Sequence, residues 1–205
     1  MKNAIDFYNR TATAWSDDWY REKQSNTAAE KFYECFGNGG TPCPRILDIG
    51  CGAGYDAKIL NSLGAKVVGV DLSKSLIAIA KKHVKTCKFF VGDLTDKLTN
   101  LGKFDGILCL ATIAHVNIDK VSAVFQNMAS VLKKGGLLLI SSTDGTGKDI
   151  EKSLTAIGKE IYDKNINRYT AAELCSMAGQ KLKLVDTWIL KDFDEGMRYY
   201  IFQKQ

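Results

Sequence analysis

Proline is nearly missing from this 205-residue chain, which has only Pro42 and Pro44. Histidine also occurs just twice, as His83 and His115. The six cysteines stand at 35, 43, 51, 87, 109 and 175, with no C-x-x-C pair among them. Zinc needs clustered thiolates and imidazoles, so no metal site is expected. Scattered cysteines without a secretory leader read as free thiols acting as small apolar side chains. No apolar run approaches the roughly 20 residues of a membrane span. The opening Met1–Asp6 lacks the apolar segment of a signal peptide, so the expected address is cytoplasmic. A concentrated basic patch is missing too. The net charge is +5, but the lysines are dispersed. Pairs such as Lys81-Lys82 and Lys133-Lys134 fall at expected helix ends, where cations favour the helix dipole. That is no nucleic-acid footprint.

What is present is a glycine cluster fed by an apolar run: Ile46-Leu47-Asp48-Ile49-Gly50-Cys51-Gly52-Ala53-Gly54. This spells a strand, a tight turn and a helix start. Glycine lets a backbone approach a bound molecule closely. Twenty-one residues after Gly50, Asp71 closes a second apolar run, Lys66–Val70. An acid there can accept hydrogen bonds from ribose hydroxyls. Dinucleotide sites use G-x-G-x-x-G, with a pyrophosphate at the helix N-terminus. Here the third slot is Tyr55, and Asp48 precedes the glycines. A carboxylate repels a pyrophosphate but attracts an ammonium. The loop suits a ligand with a nucleoside at one end and an amino acid at the other, as in S-adenosylmethionine. The competing explanation is a glycine-rich turn needed only for helix packing.

The paired pattern D-I-G-C-G-A-G-Y and V-V-G-V-D-L-S resembles the class I S-adenosylmethionine-dependent methyltransferases. The resemblance implies an α/β, Rossmann-like, doubly wound sheet of seven strands. It would be mostly parallel with an antiparallel C-terminal hairpin strand, and helices would cover both faces. A single domain of 1–205 is expected: a helical lid at 1–40, a cofactor-binding core at 45–142, and substrate-side helices with a C-terminal β-hairpin at 143–205. The cofactor implied is S-adenosylmethionine, with S-adenosylhomocysteine as product. Asp48 and the backbone of Gly50, Cys51, Gly52 and Gly54 would hold the methionine end, and Asp71 the ribose. Asp93 with Leu72 and Leu94 would hold the adenine. Leu110 and Ala111 would line the pocket through backbone.

The remaining elements follow from periodicity. Ile5, Tyr8, Ala12, Trp15 and Trp19 form one helical stripe. Thr27 and Thr170 each open a helix with a T-x-x-E capping box. Trp15 and Tyr20 are candidates to face the cofactor, because a sulfonium cation gains from an aromatic face. Ile150, Leu154, Ile157 and Ile161 read as a helix after the fifth strand, and Lys181–Ile189 and Met197–Phe202 as the last two strands.

Methyl transfer leaves little catalytic signature, because positioning supplies most of the rate. His115 is the candidate general base, following the fourth strand and titrating in the useful range. His83 reads as a surface cap. The N/D-P-P-Y/F motif of base and amide methyltransferases is missing, so nucleic acid is an unlikely substrate. The expected reaction is methyl transfer to an oxygen or nitrogen of a small-molecule acceptor, by a monomer or homodimer with no membrane partner. Two other readings stand beside it: a non-catalytic S-adenosylmethionine-binding regulator, and an NAD(P)-dependent oxidoreductase.

Overall fold

The computed structural model describes residues 2–21, 27–37, 41–145, 147–154, 161–189 and 197–205. Two helices come first, α1 (Lys2–Arg21) and α2 (Ala28–Glu34). The core then alternates: β1 (Arg45–Ile49), α3 (Tyr55–Ser62), β2 (Lys66–Asp71), α4 (Lys74–His83), β3 (Lys88–Val91), β4 (Phe104–Cys109), α5 (Ile118–Val131) and β5 (Leu132–Thr143). A hairpin of β6 (Gly147–Leu154) and β7 (Ile161–Arg168) follows, then α6 (Ala171–Ala178), β8 (Leu182–Ile189) and β9 (Met197–Lys204).

Seven strands form one sheet in the order β3-β2-β1-β4-β5-β9-β8. The first five run parallel, and β9 lies antiparallel between β5 and β8. This is the expected architecture. Alternate residues of each strand point to opposite faces. Thus Ile46, Leu108 and Leu139 join α2, α3 and α4 on one face. Their neighbours Leu47, Ile107 and Leu138 join α5 and α6 on the other. Burial on both faces explains why the central strands β1, β2 and β4 read as largely apolar runs. Both capping boxes are present, with Thr27 and Thr170 each accepting from the third helical N–H while Glu30 and Glu173 reach back.

One expectation fails. The stretch carrying Ile150, Leu154 and Ile161 is not a helix. Gly147–Leu154 and Ile161–Arg168 pair in register as antiparallel strands, from Gly147 opposite Arg168 to Leu154 opposite Ile161. Spacings of three and four residues fit a helical stripe, but strand pairing across the hairpin, which no spacing within one segment reveals, prevails here. Ile157 lies outside the described residues. Among the described residues no helix is long and apolar enough to cross a membrane.

Helix α1 lies against α4. Asn9 Oδ1 accepts from Ser73 Oγ at 2.7 Å and from the Ser75 N–H at 3.2 Å. Near its other end the Tyr20 hydroxyl donates to the Ala53 carbonyl at 2.9 Å. The helix, about 30 Å long by its residue count, is therefore tied at one point to the start of α4 and at another to the glycine loop.

Candidate functional site

Beneath α1, at the carboxyl ends of β1, β2 and β4, lies a cavity of about 450 Å³. That is where open α/β sheets bind ligands. The glycine loop forms its floor. Gly50, Gly52 and Gly54 all adopt positive φ, at 73°, 51° and 84°. They do so for different reasons. A Cβ on Gly50 would strike Thr112, whereas one on Gly52 would meet nothing within 4 Å. Gly54 precedes α3, and its N–H donates to the Cys51 carbonyl at 2.9 Å.

Asp71 is aimed by its neighbours. One carboxylate oxygen accepts from the Gly52 N–H at 3.0 Å and the other from the Ser73 N–H at 2.8 Å. Burial raises its pKa, and these backbone bonds oppose the rise. Gly50, Cys51, Gly52, Asp71, Leu72, Leu94, Leu110, Ala111, Trp15 and His115 all line the cavity. The structure thus gathers residues from β1, β2, β4 and α1 that sequence reasoning placed together.

Four of the expected residues do not line it. Asp48 is 3% exposed and sits behind the loop, and its Oδ2 has no hydrogen-bond partner among the described residues. Gly54 shapes the loop from outside the cavity wall. Asp93 turns inward locally, accepting from the Thr95 N–H at 2.8 Å. Tyr20 acts as a tether rather than a wall. Its ring stacks on the exposed His83 at 4.3 Å, Lys58 Nζ lies 5.1 Å over it, and burial pushes its pKa up to about 12. His83, exposed in the last turn of α4, thus supports the tether.

The cavity contains groups that sequence reasoning missed. Asp56, in the first turn of α3, lines it. Desolvation raises its pKa to about 6. An acid in a first turn normally reads as a dipole complement, and that hid it. Asp48 is pushed well above the usual carboxylate range by burial, then by the charges of Asp56 and Asp71. Cys51 is held as a neutral thiol by burial and by Asp48. Ala111 has a φ of 48°, the single described non-glycine residue in that region, and its N–H donates to Ser141 Oγ at 2.7 Å.

Part of the cavity wall is aromatic and apolar. Tyr8 lies 6.1 Å from Trp15 and 6.2 Å from His115, ring centre to ring centre. Tyr199 and Met197 close the wall from β9. His115 ends a short 3-10 turn, Ile113–His115. The hairpin braces this turn from behind: buried Asn167 on β7 donates through Nδ2 to the Val116 carbonyl at 2.6 Å. With the hairpin misread as a helix, that brace had no sequence signal.

Residues 46–136 match the family model described as a methyltransferase domain. A ubiquinone biosynthesis O-methyltransferase of Bradyrhizobium sp. (strain ORS 278) is 36% identical over 129 residues, covering 62% of this chain and 49% of that protein. Another, from Pelagibacter ubique (strain HTCC1062), is 36% identical over 107 residues, 51% of this chain and 44% of that protein. The chain spans about half the length of the curated relatives it matches. Among solved structures, magnesium protoporphyrin IX methyltransferase from Synechocystis PCC 6803 with bound SAH superposes with a TM-score of 0.75 at 19% identity, covering 98% of each chain. A TehB-like methyltransferase from Corynebacterium glutamicum gives 0.73 at 19% identity, covering 96% of this chain and 99% of that one. At such identities these two report on the fold alone.

Proposed function

We propose that the chain is a class I S-adenosylmethionine-dependent methyltransferase, supported by the methyltransferase-domain match at residues 46–136 and by the O-methyltransferase relatives, and that it transfers a methyl group from S-adenosylmethionine to a small-molecule acceptor. Oxygen is the acceptor atom we favour, since the curated relatives are named O-methyltransferases. The observation that carries the proposal is the wall itself, which combines a glycine loop open at Gly52, an oriented carboxylate at Asp71, and a roof of aromatics on α1.

The residues fit the cofactor. Asp71 is aimed to take ribose hydroxyls. Leu72 and Leu94 offer apolar flanks for a base. Carboxylates at Asp56 and Asp71 favour a cationic ligand and repel a pyrophosphate, which argues against a nicotinamide dinucleotide.

When bound, the cofactor supplies an electrophilic methyl on a sulfonium. The protein's task is then positioning. Holding the acceptor in near-attack geometry can remove much of the barrier. Tyr8, Trp15 and Tyr199 would hold an acceptor ring, and α1 would keep water out. His115 would take the proton from an acceptor hydroxyl.

The test is calorimetric titration with S-adenosylmethionine, S-adenosylhomocysteine and NADH. Binding of the adenosyl compounds at roughly micromolar Kd, with none for NADH, supports the reading. Labelled-methyl transfer into a metabolite pool then identifies the acceptor. Binding of NADH alone refutes it.

A further inference from the structure

Three carboxylates surround the glycine loop, and they are not equivalent. Asp71 has each oxygen oriented by one backbone N–H, which aims its remaining lone pairs at ribose hydroxyls. Asp48 lies behind the loop, away from the cavity wall. Asp56 stands on the wall. Among the described residues neither Asp48 nor Asp56 has a lysine or arginine within ion-pair distance. Resting on the cofactor reading above, we infer that Asp56, rather than Asp48, is the carboxylate that receives the α-ammonium of the cofactor's amino-acid end.

The physical case is one of access and charge. An ammonium can pair only with an anion it can reach. Asp48 is buried off the cavity wall, and burial, with the charges of Asp56 and Asp71, raises its pKa and so disfavours its charged form. Asp56 is desolvated but faces the cavity, and it ionises at about pH 6. Near neutral pH it is a carboxylate with no counter-ion among the described residues. A cation arriving there gains an interaction that water screens little. Asp48 then backs the glycine loop from outside the cavity wall. This arrangement reverses the assignment made from the motif, where the acid preceding the glycines takes the ammonium.

The experiment compares two ligands on three proteins. S-adenosylhomocysteine carries the ammonium. 5′-Methylthioadenosine keeps the nucleoside and sulfur but lacks the amino-acid end. Calorimetry is run at pH 7.5 on the full chain, Asp56→Asn and Asp48→Asn. Asp56→Asn should weaken S-adenosylhomocysteine by at least about tenfold, as expected for a hydrogen bond between charged groups, while methylthioadenosine affinity stays within about twofold. Asp48→Asn should show no such selective loss. The inference is overturned if Asp56→Asn leaves S-adenosylhomocysteine within about twofold, if it weakens both ligands alike, or if the selective loss belongs to Asp48→Asn. Should the unmodified chain bind neither adenosyl compound, the cofactor reading itself fails and takes the inference with it. Asp56→Asn should also unfold at a higher urea concentration than the unmodified chain at pH 7.5, because it removes a desolvated charge. That readout separates ligand loss from misfolding.

Discussion

Replacing Gly50 and Gly52 by alanine, one at a time, should give opposite phenotypes. Both glycines adopt a left-handed backbone, at φ 73° and 51°. An L-residue there costs about 1–2 kcal/mol, partly offset by about 0.4–1 kcal/mol from a stiffer unfolded chain. The surroundings then separate them. A Cβ on Gly50 would overlap Thr112, with Cγ2 only 2.7 Å away. Thr112 cannot retreat freely, because its hydroxyl donates to the Leu110 carbonyl at 2.7 Å. Overpacking adds about 1–3 kcal/mol, and a lost hydrogen bond about 1 kcal/mol. Gly50→Ala should therefore lose about 2–5 kcal/mol in urea unfolding, while Gly52→Ala loses about 1 kcal/mol or less. Affinity should rank the other way for the folded fraction. The new methyl at Gly52 meets no protein atom within 4 Å and intrudes on the ligand's space. S-adenosylhomocysteine affinity should fall at least about tenfold, or 1.4 kcal/mol. Adding Thr112→Ala to Gly50→Ala should recover part of the stability. Equal destabilisation by both alanines, with normal binding by Gly52→Ala, would refute the reasoning.

Other perturbations have equally definite outcomes. Asp71→Ala removes the acceptor for the Gly52 and Ser73 N–H groups, so cofactor affinity should fall more than about tenfold and stability by about 1–3 kcal/mol; near-normal affinity in calorimetry would sink the ribose assignment. His115→Ala should slow turnover while leaving cofactor affinity intact, and unchanged rates would reduce it to a wall residue. The ligand-free protein should lose stability as pH rises from about 4 through about 6. Asp56 binds its proton more tightly folded than unfolded, since desolvation holds its pKa near 6. The groups facing it, Asp48 on β1, Tyr20 on α1 and Cys51 in the loop, supply no cation. Subtracting the Asp56→Asn profile isolates the effect; a flat difference between pH 4.5 and 7.5 would contradict it.

Legibility in the sequence tracked locality. Strands β1 and β2 are buried on both faces, so each reads as a largely apolar run ended by glycine or an acid. The Thr27 and Thr170 boxes close within four residues, and both were readable. The β6–β7 hairpin was not, because Ile150, Leu154 and Ile161 space like a helix and strand pairing leaves no mark within one segment. Site residues behaved likewise. Asp71 ends a strand, and the strand end predicts its position. Asp56 sits one residue past Tyr55, where an acid suits any helix start. Asp48 was legible as an acid beside the loop, but which side of the loop it occupies depends on packing between β1 and its neighbours.

The hairpin leaves and rejoins the scaffold at one place. The Tyr169 N–H donates to the Thr143 carbonyl at 3.3 Å and the β6–β7 ladder begins beside it with Gly147 opposite Arg168, so the chain from 144 to 168 is an excursion closed at its base. Lengthening or shortening such an excursion changes closure entropy only logarithmically, about 0.6 kcal/mol per doubling. The sheet register on either side need not shift. Asn167 nonetheless carries the excursion's influence to Val116, next to His115. A change within the hairpin thus reaches the His115 end of the cavity wall through Asn167, whereas the glycine loop and Asp71 are held by other elements.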